Sequence, residues 1–277
     1  MTSSWTHRPG CAIRSTMQIT SASNEKIKHA RRVRDGREPG LIFIEGLRLA
    51  EEAVNSSLTI EVCFSDSLDP AESRLVALLK RLEQNSVPHF TTTTDIIRAM
   101  SDTVQSQGII LIARRPAQQT TGAWQKNSTL LLGLDRLQDP GNLGTLIRTA
   151  EAAGVGGIVS LKGSADAFSP KVLRSSMGSA FRLPLLENAS AADLNALQVN
   201  QGFKIVAAAG EGEMDYTDYD WQQPTLLLLG NEGRGVAPEL MQQCDVRLRI
   251  PMHAGVESLN VAAAGAVMLF EAARQRR

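Results

Sequence analysis

LLLLGNEGRGV, residues Leu226–Val236, runs from four consecutive leucines straight into a turn rich in Gly, Asn and Glu. Four apolar residues in a row, with no alternation, describe a strand covered on both faces, as in a parallel sheet clothed by helices. Thr129–Leu134 (TLLLGL) and Phe203–Ala208 (FKIVAA) have the same character. Between and beyond them the pattern alternates: helix Leu143–Ala153, strand Gly157–Leu161, helix Lys171–Ser179, strand Leu183–Leu186, helix Ala191–Asn200, strand Val246–Ile250 and a final helix Asn260–Arg276. That order predicts a doubly wound α/β domain over 129–277, with its ligand site at the carboxyl ends of the strands.

Upstream, Leu41–Gly46, Thr59–Ser65, Val87–Thr93 and Gly108–Pro116 read as strands. Helices are expected at Leu47–Val54, Asp95–Met100 and Pro70–Asn85, the last with Leu75, Leu78, Leu79 and Leu82 on one side. Residues 17–117 therefore form a second, smaller α/β unit, and the polar, aperiodic stretch 118–128 is expected to link the two. Residues 1–16 lack the apolar middle of a secretory signal and read as a disordered extension, with Met17 a candidate start.

Composition narrows the function classes. Apolar residues make up 43% of the 277, ample for a large core, and the formal net charge of zero names no partner. A surface for a polyanion has to come from local clustering, and Ser23–Arg37 supplies one: Lys26, Lys28, Arg31, Arg32, Arg34 and Arg37, with Ser23 placed to cap a helix. Cys11, Cys63 and Cys244 are scattered without metal-ligand spacing, which suits a reducing compartment and no zinc site. No apolar stretch reaches membrane-spanning length, so a cytoplasmic protein is expected.

Two more corners resemble the first. DPGNLGTLIRTAEAAGV (Asp139–Val155) and RIPMHAGVESLNVAAAGAVMLFEAARQ (Arg249–Gln275) each carry a Gly- and Asn-rich or Ser- and Asn-rich turn into a helix. Asn142 and Ser258 are placed to cap those helices. Arg148 stands in a helix otherwise made of Leu, Ile, Ala and Thr, which points its guanidinium at a shared cleft. Glu232, at the end of a buried strand, needs donors, and Arg148 or backbone N–H groups would serve. The glycine spacing matches neither the dinucleotide fingerprint nor a P-loop.

Taken together, N-L-G-x-x-x-R-T-A (Asn142–Ala150), L-G-N-E-G-x-G (Leu229–Gly235) and I-P-M…S-L-N-V-x-x-A (Ile250–Ala263) resemble the three motifs of the SpoU/TrmH family of RNA ribose methyltransferases, in the family's order. The resemblance covers Thr129–Arg276, and Ile19–Pro116 is similar to the ribosomal-protein-like substrate domain that many members carry in front. It implies methyl transfer from S-adenosylmethionine to a ribose 2′-hydroxyl, on a Rossmann-like parallel sheet with a C-terminal trefoil knot, by a homodimer without metal. Sequence rules alone do not propose a knot.

The resemblance assigns catalysis to Arg148, Asn142, Glu232, Ser258 and Asn260. Cofactor contacts are carried onto Ala209, Gly210, Gly230, Asn231, Gly233, Ile250, Met252, Ser258 and Leu259. RNA contacts are expected from Lys26, Lys28, Arg31, Arg32 and Arg34, mainly to phosphates. Two roles stay open for Arg148, general base or electrostatic stabiliser of the alkoxide, since arginine ordinarily keeps its proton. Ribosomal RNA is the expected substrate, with tRNA methylation or a non-catalytic RNA-binding role as alternatives.

Overall fold

The computed structural model describes residues 17–66, 73–103, 106–117, 124, 128–253 and 255–277. The extension 1–16, Cys11, the first three residues of the helix expected from Pro70 and all of the linker except Trp124 and Ser128 lie outside them.

The chain forms two sheets. The first has the order β1-β4-β3-β5-β2, from β1 (Met17–Ile19), β2 (Leu41–Glu45), β3 (Ile60–Ser65), β4 (His89–Thr92) and β5 (Ile109–Arg114). β1, β4 and β3 run parallel, while β5 and β2 are antiparallel to their neighbours. Alternation along β2 and β5 sends Phe43, Ile110 and Ile112 to one face. There they meet Ile27, Ala30 and Val33 of α1 (Glu25–Arg34) and Ile96, Ile97 and Met100 of α4 (Thr94–Met100). Ile42, Ile44 and Leu111 face the other way, onto α2 (Leu47–Asn55) and the four expected leucines of α3 (Ser73–Gln84).

The second sheet is wholly parallel, in the order β10-β12-β9-β11-β6-β7-β8. Its strands are β6 (Leu130–Leu134), β7 (Ile158–Leu161), β8 (Leu185–Ala189), β9 (Lys204–Ala208), β10 (Met214–Asp215), β11 (Thr225–Leu229) and β12 (Val246–Arg249). Every side chain of β6 and β11 is buried, as the unbroken apolar runs predict. One face carries α5 (Pro140–Ala152), α6 (Pro170–Ser176) and α9 (Val261–Gln275); the other carries α7 (Ala191–Gln201) and α8 (Pro238–Met241). From β9 the chain moves out to the edge at β10. It then inserts β11 between β9 and β6, and returns with β12 between β10 and β9. Because all these strands run the same way, the loops after β6, β9, β11 and β12 gather at one sheet edge.

Three helix starts differ from the sequence reading. Asn24, not Ser23, caps α1; Asp139, not Asn142, caps α5; Asn260, not Ser258, caps α9. In the second case Pro140 at the first helical position moves the start three residues forward, since proline fits there without losing a bond. The edge strand β10 and the short α8 were not expected. Among the described residues, no helix is long and apolar enough to cross a membrane.

Candidate active site

Asn142 sits in the first turn of α5, free of capping duty, because Asp139 Oδ1 accepts the Asn142 N–H at 2.8 Å. Its side chain faces the loop after β11. Asn142 Nδ2 donates to Glu232 Oε1 at 3.2 Å, and the Asp139 N–H donates to the same oxygen at 3.2 Å. Asn142 Oδ1 in turn accepts from Asn260 Nδ2 at 3.0 Å. The orientation of both amides follows from the helix start: Asn260 Oδ1 accepts the N–H groups of Ala262 (2.9 Å) and Ala263 (3.3 Å), so its nitrogen must face Asn142. The result is a directed chain, α9 cap to Asn260 to Asn142 to Glu232.

Partial burial pushes the Glu232 carboxyl up. Hydrogen bonds from its own backbone N–H, the Asn142 amide and the Asp139 and Gln138 N–H groups outweigh this and hold it below the ordinary carboxylate value. The donors Glu232 needs are thus Asn142 and backbone amides, not Arg148.

Asn231 shapes the loop that carries Glu232. Its Oδ1 accepts from Gly233 N (3.1 Å) and Arg234 N (3.2 Å), and its Nδ2 donates to the Arg136 carbonyl at 2.9 Å. Backbone bonds in both directions join Asn231 to Gly235. A Cβ on Gly230 would stand 2.1 Å from the Gly235 carbonyl carbon, so the crossing is built on glycine. Asp135, only 2% exposed, holds the far end: its Oδ2 accepts the Ala237 N–H at 2.8 Å, and it pairs with Arg136 at 3.0 Å. Sequence reasoning missed Asp135. The signal was there, a carboxylate closing the apolar run TLLLGLD.

These loops and α9 enclose a cavity of ≈ 270 Å³. All nine residues assigned to the cofactor line it, from Ala209 and Gly210 after β9, through Gly230, Asn231 and Gly233 after β11, to Ile250, Met252, Ser258 and Leu259 after β12. Ala264 and Met268 of α9 form an apolar floor, and much of the wall is backbone around glycines. Such a mix of apolar floor and main-chain donors and acceptors fits an adenosyl group with an amino-acid tail.

Ser258 is exposed on the opposite wall. Arg148 is not brought to the cluster. Six residues beyond Asn142 on α5, it projects about 120° around the helix, is exposed, and makes no hydrogen bond or ion pair with another described residue. The expectation that it points into the shared cleft of this chain is therefore not met.

The basic run lies on α1, far from these loops in sequence, and much of it is engaged. Lys28 pairs with Glu25 (2.7 Å) and Arg32 with Glu38 (2.9 Å). Arg34 donates to the carbonyls of Met100 and Ser101 at 3.1 Å, and Arg31 to Ala99 at 3.2 Å, so both close the carboxyl end of α4. Lys26 lies over the Phe90 ring at 4.8 Å, with its ammonium exposed.

Comparison with known proteins identifies the family of the chain. Residues 129–270 match the model of the SpoU rRNA methylase family, and residues 24–111 match the MRM3-like substrate-binding domain. The 23S rRNA (guanosine(2553)-2′-O)-methyltransferase RlmP of Bacillus subtilis is 32% identical, the match covering 91% of this chain and 98% of that protein. The AdoMet-bound rRNA methyltransferase of Sinorhizobium meliloti superposes with a TM-score of 0.83 at 29% identity, over 94% of this chain and 98% of that one. The SpoU methyltransferase AviRb of Streptomyces viridochromogenes, in complex with AdoMet, gives 0.80 at 26% identity over 91% and 98%. The chain belongs to the SpoU rRNA methylase family and is an S-adenosylmethionine-dependent RNA ribose 2′-O-methyltransferase.

Proposed function

We propose that this enzyme methylates a ribose of 23S ribosomal RNA in the cytoplasm, as a homodimer. The observation that carries the catalytic reading is the Asn260–Asn142–Glu232 chain, whose Glu232 end lines the cavity. Relatives named for 23S rRNA support the substrate class.

S-adenosylmethionine, held by the residues lining the cavity, would supply an electrophilic methyl group. The protein's task is to present a hydroxyl oxygen and to relieve it of its proton. Glu232 and Asn142, locked by their mutual bond, orient the ribose; Ser258 orders the opposite wall. Arg148 acts as the electrostatic partner of the developing alkoxide, since a guanidinium keeps its proton at working pH, and the proton leaves to water. Its exposure and lack of a carboxylate partner leave it free for RNA or for a second subunit.

The homodimer reading rests on exposed apolar side chains beside the site, Met252, Val256 and Leu259 in the loop and Val267 and Phe270 on α9. The excursion to β10, the insertion of β11 and the return at β12 support reading 204–260 as the trefoil knot. Residues 17–117 and the exposed ammonium of Lys26, stacked over Phe90, are assigned to RNA.

Incubation with labelled S-adenosylmethionine and total rRNA or tRNA, followed by mapping of the modified ribose, tests the substrate. Label in tRNA alone overturns it. Arg148→Ala is expected to bind the cofactor normally and to lose methyl transfer; full activity in that variant removes its catalytic role.

A further inference from the structure

Two cations stand beside the Asn142–Glu232 pair with side-chain donors that no described residue accepts. Lys171 is the second residue of α6. A Cβ on Gly144 would stand 2.8 Å from the Val172 carbonyl oxygen, so α6 lies directly on α5, and Ser175 Oγ donates to the Pro140 carbonyl at 3.2 Å. This contact brings Lys171 to Asp139, the residue that caps α5 and whose N–H donates to Glu232. Lys171 Nζ lies 3.9 Å from Asp139 Oδ2, too far for a hydrogen bond, and the two side chains are 61% and 50% exposed. An exposed pair at that separation adds little stability. The ammonium is open to a stronger acceptor.

Arg234 comes from the loop after β11. It sits in the turn closed by the backbone bonds between Asn231 and Gly235, two residues beyond Glu232. Its N–H donates to Asn231 Oδ1 at 3.2 Å, which fixes the backbone. The residue is exposed, and its guanidinium makes no hydrogen bond or ion pair with another described residue. Neither Lys171 nor Arg234 lines the cofactor cavity. The other charges nearby are differently placed: Arg136 is bound by Asp135, Glu257 lines the cofactor cavity, and Glu239 is exposed on α8. Asp139 and Glu232 themselves put two carboxylates where RNA has to lie, and these repel a phosphodiester.

We propose that Lys171 and Arg234 clamp the two phosphates that flank the ribose to be methylated. A nucleotide whose 2′-hydroxyl is presented to Asn142 and Glu232 brings one phosphodiester on its 5′ side and one on its 3′ side. Two cations offset the two carboxylates there and let the polyanion approach. Phosphate contacts set register and carry no base information. The clamp therefore holds the reacting nucleotide in place and leaves the choice of nucleotide to other parts of the chain. This rests on the placement of the ribose proposed above.

The variants are assayed on unmodified rRNA or tRNA, whichever the parent enzyme methylates. Lys171→Ala and Arg234→Ala should each weaken RNA binding and flatten its salt dependence: between about 50 and 200 mM salt, each variant should lose about threefold less affinity than the parent. Lys171→Arg keeps the charge and should behave as the parent does. Lys204→Ala, which removes a cation at the opposite, amino end of β9, should leave the slope unchanged. S-adenosylmethionine affinity should stay at the parent's value in every variant, which also shows that each is folded. Neutral methylphosphonate linkages on both sides of the mapped ribose locate the contact. They should lower the RNA affinity of the parent and have no further effect on the double variant Lys171→Ala/Arg234→Ala. Unchanged salt slopes in both alanine variants, or an equal loss with the neutral linkages in parent and double variant, overturn the clamp. Methylation of tRNA alone overturns the 23S rRNA reading, and the clamp is then decided on tRNA by the same variants. Methylation of neither RNA by the parent overturns the placement of the ribose and the clamp with it.

Discussion

Asn142 serves two partners at once, accepting from Asn260 and donating to Glu232. Removing its amide in Asn142→Ala unlinks the loops that carry Asn260 and Glu232, the place proposed above to orient the ribose. Turnover should fall about 10²–10³-fold, while S-adenosylmethionine affinity, measured by calorimetry, stays within about twofold of the parent, a difference below half a kcal/mol. A matching loss of cofactor affinity would instead make Asn142 a part of the cofactor wall. Gly230 gives the opposite split. Gly230→Ala forces the loop apart at a contact that has no room for a methyl group, and should cost about 1–3 kcal/mol in urea unfolding together with cofactor binding. At this scale the sequence was informative where a residue type has few other uses, as with Asn142, Glu232 and the glycines. It misled where a partner comes from elsewhere. Arg31 and Arg34 look like a phosphate-binding surface until the end of α4 is seen beneath them.

The elements that frame the site are tied by one buried carboxylate. Asp135, at the end of β6, reaches across to the Ala237 N–H and so fixes where the loop after β11 turns back. Asp135→Ala leaves that N–H buried without an acceptor, and is expected to cost about 1.5–3 kcal/mol of stability, read as a lower urea midpoint with unchanged slope. Capping works on a smaller scale: Asn260→Ala should cost about 1 kcal/mol and loosen the start of α9. Helices and strands with a clear period or an unbroken apolar run were legible, and the four leucines of α3 are the clearest case. β10 and α8 were not. Two residues at a sheet edge, or a single turn after a loop, carry no periodic pattern, and their existence depends on neighbours distant in sequence. The helix caps shifted by one to three residues because several Asn, Asp and Ser side chains compete at each start and only the folded loop decides among them.

At the scale of the molecule, arginines bind the two sheets together. Arg115, at the end of β5, pairs with Asp166 and Glu187, and Arg182 with both Glu52 and Glu151. The Arg182 guanidinium holds Glu151 below its usual range, against a smaller opposing effect of burial. Burial raises Asp245 and Glu232, but their hydrogen-bond donors outweigh it and leave both lowered. A carboxylate lowered on folding adds stability above its unfolded value, about 4, and that contribution is lost as pH falls through the folded value. Urea stability should therefore be level from about pH 7 to 5 and fall steeply below about 4. Glu151→Gln should be less stable at neutral pH and show a shallower acid slope; an unchanged slope would remove Glu151 from the account. The two-unit organisation was legible from the alternating elements, whereas the arginine ties were not, because each joins residues whose pairing only the packed sheets bring about.

The directed chain from the α9 cap to Glu232 also orders events in time. A polypeptide emerging from the ribosome folds from its N-terminal end first, at about 5–20 residues per second. Strands β6 to β8 can pair early, but Asn142 lacks its second partner, and the cavity its floor, until residue 260 and the helix after it are free. A nascent chain of this enzyme therefore has its substrate-binding domain long before it has the complete cavity. The cavity is complete only once α9 has left the ribosome.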